Sequence, residues 1–230
     1  MNFHVVTLFP KVIEEYANAS ILGRAQKEKI ISVKAVQLRN FVTNKWGKVD
    51  ERPYGGGPGM VIAAEPVIKA VESIQKKIKY QKSTDLIYQT GRRGVKIIIT
   101  SPAGKPLTNA YARNLAKKYK DIIIVCGRYE GIDARAKKIL KAEEISVGPY
   151  ILTGGEIPAL AIIDATARQL KGVLGKIESL EEGRVASHDV YTRPEVLKYK
   201  GKSYRVPKVL LSGHHKKIDA LRSKRRANLL

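Results

Sequence analysis

Cysteine is almost missing from this chain: Cys126 is the single one in 230 residues. That excludes an internal disulfide framework and a cysteine-rich zinc site. The four histidines, His4, His188, His214 and His215, show no metal-ligand spacing, and the adjacent pair would diverge on a helix, so no metal site is expected from them. Long apolar runs are absent too, none approaching the roughly 18 residues of a spanning helix. The opening MNFHVVTLFP has no basic leader before its apolar residues and reads as a first strand rather than a signal peptide. A cytoplasmic protein without a membrane segment is the expectation. Acidic residues are also scarce: 21 Asp and Glu stand against 43 Lys and Arg, a net charge of +22. A field of that size attracts polyanions, nucleic acid first among them.

What is present is enough for a core. With 43% hydrophobic residues, 230 positions suit one large domain or two smaller ones. Short runs rich in β-branched residues read as strands: VVTLF (5–9), ISVKAVQL (31–38), VKIIIT (95–100), DIIIVC (121–126) and EEISVG (143–148). Between them the period is helical. In EPVIKAVESIQKKIKY, positions 67, 68, 71, 74 and 78 share a face behind Pro66; TNAYARNLAKKY (108–119) starts at a Thr108 cap, and GIDARAKKIL (131–140) and IPALAIIDATARQL (157–170) follow the same logic. Alternating strands and helices predict an α/β fold with a mostly parallel sheet over residues 1–170.

After that the composition changes. Residues 171–194 carry glycines, an acidic cluster and no sustained period, and read as a flexible interdomain linker. Residues 195–230 are a small basic module, with eleven Lys and Arg between Lys198 and Arg226 and Asp219 as the only acid in that span.

Three loops directly follow apolar strands: SPAGKPL (101–107), CGRYEGID (126–133) and GPYILTGGE (148–156). Each alone also fits an ordinary strand-to-helix turn. Ligands of open parallel sheets bind beyond the carboxyl ends of strands, so the three together predict one crevice read largely by main chain. Neither G-x-x-x-x-G-K-[ST] nor G-x-G-x-x-G occurs, which disfavours a nucleoside-triphosphate enzyme. A fourth stretch, RPYGGGPGM (52–60), fits either a surface loop or a backbone that passes close to a base, with Tyr54 available for stacking. Arg168 ends a mostly apolar helix, where an arginine needs a partner or a ligand. Glu178, Glu181 and Glu182, with Asp189 further on, are either a solvated loop or a source of a general base.

In this order, RPYGGGPGM, CGRYEGID, YILTGGEIPA and YTRPEVL followed by VLLSGHH resemble the bacterial tRNA (guanine-N1)-methyltransferases of the SPOUT superfamily, which modify guanine 37 beside the anticodon. The resemblance covers nearly the whole chain. It implies a C-terminal part of the α/β domain threaded into a deep trefoil knot, an exception to the rule that chains do not thread loops. It also implies S-adenosyl-L-methionine held in that knot by the positions that match here: Thr100 and Pro102, Gly127 and Glu130, then Val147, Gly148, Pro149, Tyr150, Ile151 and Leu152, with Gly154 and Gly155. Tyr54, Gly56, Gly57, Pro58 and Gly59 would meet the substrate. The expected assembly is a homodimer, the linker of one subunit closing over the cofactor of the other. The expected partner is tRNA with guanine at position 37.

The chemistry follows from the substrate. Guanine N1 carries a proton at neutral pH, so its methylation needs a base for that proton and a donor for charge building on O6. Arg168 matches the family arginine. The family's S-x-x-x-D-S-F aspartate has no counterpart, because SLEEGRV (179–185) brings Gly183 to that place; Glu182 is the first choice for the base, with Glu181 and Asp189 as alternatives. Pro149 also stands where the family usually has an acid. The methyl donor is already activated, so no metal is required, and the resemblance admits Mg2+ as an auxiliary ion. Two other functions fit the same residues: a SPOUT enzyme that methylates another RNA position, and a tRNA-binding homologue weakened in catalysis.

Overall fold

The computed structural model describes residues 1–84, 93–174 and 189–224. It forms two compact units, Met1–Leu174 and Gly175–Leu230. In the first unit β1 (Asn2–Thr7), β2 (Ser32–Gln37), β5 (Arg93–Pro106), β6 (Tyr119–Val125) and β7 (Glu143–Ser146) make one sheet in the order β2-β1-β6-β5-β7, with every neighbouring pair parallel. Parallel strands need crossovers, and helices supply them.

Alternation along the strands explains why both faces are covered. Phe3, Val5, Ile98, Ile122 and Ile124 face a cluster with α1 (Pro10–Ala17), α2 (Ser20–Lys27), α4 (Asn109–Lys118) and α6 (Glu156–Ala167). Val6, Ile97, Ile99, Ile123 and Val125 face the opposite cluster, under α3 (Ala64–Thr84) and α5 (Ala134–Leu140). A strand buried on both sides reads as a continuous apolar run, and "DIIIVC" is such a run. The predicted Thr108 cap is present, its hydroxyl accepting from Tyr111 N, while the helix expected over 131–140 starts only at Ala134, where the Asp133 carboxylate accepts from Arg135 N.

One expected loop is mostly strand. Residues 101–107 were expected to be a turn, yet β5 continues to Pro106, because Ile145 pairs first with Thr100 and again with Lys105. The intervening residues bulge out between the two pairings. Gly104 lies against the β7 backbone there, where a Cβ would sit 2.5 Å from Glu144 C. A second hairpin, β3 (Asp50–Glu51) antiparallel to β4 (Val61–Ile62), holds the glycine-rich stretch 52–60 as its loop.

The second unit differs from the helical module expected there. β8 (Val196–Tyr199) and β9 (Lys202–Arg205) form an antiparallel hairpin turned at Lys200 and Gly201, both with positive φ. Helices α7 (Lys208–Leu211) and α8 (His215–Lys224) follow it. Residues 175–188 of the expected linker lie outside the described residues.

Candidate active site

The carboxyl ends of β5, β6 and β7 open onto one cavity of about 410 Å³. Its walls include Thr100, Ser101 and Pro102 at the irregularity within β5, residues 127–132 after β6, Ser146 at the end of β7, and residues 147–148 and 150–155 after it. The three loops therefore converge, as expected for the crevice of an open parallel sheet. Its volume lies within the ordinary range of ligand clefts.

Close packing of backbone holds the loops together. Gly155 N donates to the Gly127 carbonyl at 2.8 Å. The buried Thr100 hydroxyl donates to the Val125 carbonyl and accepts from Gly127 N at 3.2 Å. A Cβ on Gly155 would stand 2.1 Å from Thr100 Oγ1 and 2.6 Å from Gly127 N, so only glycine fits. On the β7 side, Ser146 Oγ donates to the Gly148 carbonyl at 2.9 Å, and Tyr150 folds its hydroxyl back to the Val147 carbonyl at 3.2 Å.

The glycine-rich hairpin loop reaches the rim of the cavity. Glu130 N donates to the Met60 carbonyl at 3.0 Å, Ile62 N to the Gly131 carbonyl and Asp133 N to the Ile62 carbonyl. Gly59 lies so near Glu130 that a Cβ would come within 2.5 Å of its carboxylate. Gly56, Gly57 and Pro58 are exposed, and Tyr54 is 99% exposed, an aromatic ring presented to solvent.

The positions matched to the family's cofactor site border the cavity, except Pro149. Arg168 does not border it. It caps the far end of α6, about 18 Å along the axis of a 12-residue helix that starts at the cavity wall. Its Nε is buried and makes no hydrogen bond among the described residues. Asp189 is exposed in the second unit, and Glu181 and Glu182 lie outside the described residues.

Three polar residues escaped the sequence reading. Glu156, 3% exposed, accepts from Thr7 Oγ1 at 2.7 Å and from Arg128 Nε at 3.0 Å. Arg128 also donates to the Thr153 carbonyl and lies over the Phe9 ring. A signal existed: Arg128 directly follows Gly127 and Glu156 directly follows Gly155, two opposite charges behind two glycines. Beneath them, burial first and then the Glu156 charge push the Cys126 thiol well up. A neutral buried thiol is a core residue, not a nucleophile.

The chain matches known proteins over nearly its whole length. The family model described as tRNA (Guanine-1)-methyltransferase TrmD matches residues 1–229. A tRNA (guanine-N(1)-)-methyltransferase of Desulforamulus reducens is 40% identical over 234 residues, covering 100% of this chain and 85% of that protein. One from Carboxydothermus hydrogenoformans is 42% identical over 228 residues, covering 97% and 82%. The crystal structure of the tRNA (m1G37) methyltransferase from Aquifex aeolicus superposes with a TM-score of 0.75 at 40% identity, covering 98% of this chain and 89% of that one.

Proposed function

The chain belongs to the tRNA (guanine-1)-methyltransferase family, and from that premise we propose that it methylates N1 of guanine 37 in tRNA with S-adenosyl-L-methionine as donor. The observation that carries the reading is the full-length family match, residues 1–229. No described helix is long and apolar enough to cross a membrane. A cytoplasmic tRNA-modifying enzyme is consistent with that and with the net charge of +22.

The cavity fits the donor. Gly127, Gly148, Gly154 and Gly155 in its walls offer main chain to a purine edge or an amino-acid moiety, and Ile99, Pro102 and Leu152 are apolar lining residues. When bound, the donor supplies a methyl group on a sulfonium, which leaves as a neutral thioether. Thr100, Gly127 and Gly155 hold one wall in place, and Val147 to Leu152 form the other. The family membership brings the trefoil knot into this reading.

The protein's own residues handle the proton and the charge. A linker carboxylate, Glu182 in first place and Glu181 or Asp189 otherwise, takes the N1 proton; N1 is then free to attack the methyl carbon. Arg168 donates to O6 as charge builds there. General-base assistance is worth about 10²–10⁴-fold, and an aimed donor about 10²–10³-fold more. The distance along α6 between the cavity wall and Arg168 supports a homodimer, in which one subunit's cavity works with the other's arginine and linker. Tyr54 and the exposed 55–59 loop are suited to receiving a base taken out of the anticodon stack. Mg2+ enters only as an auxiliary ion.

The test is product analysis. Purified protein, donor and tRNA with G37 should yield 1-methylguanosine by mass spectrometry, and the same tRNA with adenine at position 37 should yield none. Methylation of both, or of neither, rejects the assignment.

A further inference from the structure

We propose that the ion pair between the half-buried Arg128 and the buried Glu156 is a positioning element for the donor cavity, fixing the two glycines that precede its members. The inference rests on the reading of that cavity as the methyl-donor site. Two dipeptides, Gly127-Arg128 and Gly155-Glu156, lie side by side, joined by the bond from Gly155 N to the Gly127 carbonyl at 2.8 Å. On one side the glycines border the cavity. On the other, Glu156 Oε2 receives Arg128 Nε at 3.0 Å and Nη2 at 2.9 Å.

Each remaining polar atom of the pair ties in another segment. Thr7 Oγ1, at the end of β1, donates to Glu156 Oε1 at 2.7 Å, and Phe9 N donates to that hydroxyl at 2.9 Å. Arg128 Nη1 donates to the Thr153 carbonyl at 3.3 Å, and the guanidinium carbon lies 4.4 Å from the centre of the Phe9 ring. Gly154 is drawn up against the pair, where a Cβ would meet Arg128 Nε at 2.3 Å and Glu156 Oε2 at 2.7 Å. The pair, with guanidinium Nε and Nη2 both on one carboxylate oxygen and the other oxygen on Thr7, therefore links β1, the 127–131 loop, the 153–155 loop and the start of α6.

Stability is a poor reason for this arrangement, because burying the Glu156 carboxylate carries a desolvation cost that its ion pair roughly cancels. Directional hydrogen bonds do what apolar packing does not: they fix register and orientation. Glu156 itself does not border the cavity, so it acts on the donor only through Arg128 and the backbone of Gly155.

The experiment is calorimetric titration of S-adenosylhomocysteine into the full-length protein and into Glu156→Gln, Arg128→Lys and Thr7→Val. Each variant's fold is checked by thermal melting, and its tRNA affinity is measured without donor. Glu156→Gln is expected to weaken the probe at least about tenfold, with tRNA affinity unchanged. The double variant Glu156→Gln/Arg128→Lys should be little worse than either single one, because both weaken the same contact. Should Glu156→Gln fail to fold, Thr7→Val, which keeps both charges and removes one donor, is expected to weaken the probe about threefold or more. Thr7→Ser, which keeps the hydroxyl, should restore binding. A merely structural role would lower the melting temperature and leave the affinity of folded protein unchanged, and that result overturns the proposal. Failure of the unsubstituted protein to bind S-adenosylhomocysteine overturns the donor reading instead.

Discussion

At the residue scale, Gly155 has no room for a side chain. A methyl group there would stand 2.1 Å from Thr100 Oγ1 and 2.6 Å from Gly127 N, one a hydroxyl tied to Val125 and the other main chain. Neither can retreat without parting the two loops. Gly155→Ala is therefore expected to destabilise the fold by about 1–3 kcal/mol, as overpacking does, and to abolish measurable donor binding in the folded fraction. Normal donor affinity by calorimetry would show that the loops separate at no cost. The base is a different kind of question. Glu182→Gln should lower single-turnover methyl transfer at least about a hundredfold, and near-normal turnover rejects Glu182 in favour of Glu181 or Asp189. Site glycines were legible because glycine after an apolar strand is a local pattern. Thr7 was not, since its partner Glu156 lies 149 residues away and only the folded sheet brings them together.

At the scale of elements, Glu143 shows how the outer strand of the sheet is secured. Its carboxylate receives Lys105 Nζ at 2.8 Å, Lys96 Nζ at 2.6 Å and Tyr111 hydroxyl at 2.9 Å, joining β7 to β5 and to α4. Partial burial alone would raise its pKa, but the bonds from Lys105, Lys96 and Tyr111 outweigh that and bring it down to about 2. The folded value lies below the ordinary carboxylate value of 4.5. The linked stability is therefore present above the ordinary value and is lost as pH falls towards 2. Glu143→Gln should be less stable than the parent at pH 7 in urea denaturation, with the gap closing between about pH 5 and pH 2; a gap constant with pH removes the ionised carboxylate from the explanation. Elements like these differed in how visible they were. The isoleucine runs of β5 and β6 announced buried strands, and Thr108 announced a helix start. α1 and α2 have eight residues each, too short for a period to accumulate, and they break at Ser20, whose φ is 46°. The second pairing of Ile145 with Lys105 is a long-range choice that no local pattern carries.

At the scale of the whole molecule, charge separates the two ligands of the proposed reaction. Forty-three cations against 21 acids make a field that acts on every phosphate within a Debye length, about 10 Å at 0.1 M salt. The donor is a small zwitterion with a sulfonium, held by main chain in a cavity, and releases few counterions on binding. tRNA releases one for each phosphate it neutralises, so its log affinity falls with log salt by about 0.7–0.9 per contact. Between 50 and 200 mM salt, six to ten contacts would weaken tRNA by about 10³–10⁵-fold, while donor affinity should change severalfold at most. The second unit offers a local check, since Lys198, Lys200 and Lys202 on its hairpin are exposed and Arg205 ends β9. If all four grip phosphate, replacing them by alanine should reduce the salt slope by about 3 and leave S-adenosylhomocysteine titration unchanged. An unaltered slope moves the phosphate contacts off this hairpin, and Lys208, Lys216 and Lys217 of the second unit and Arg39, Lys45 and Lys48 of the first become the residues to replace.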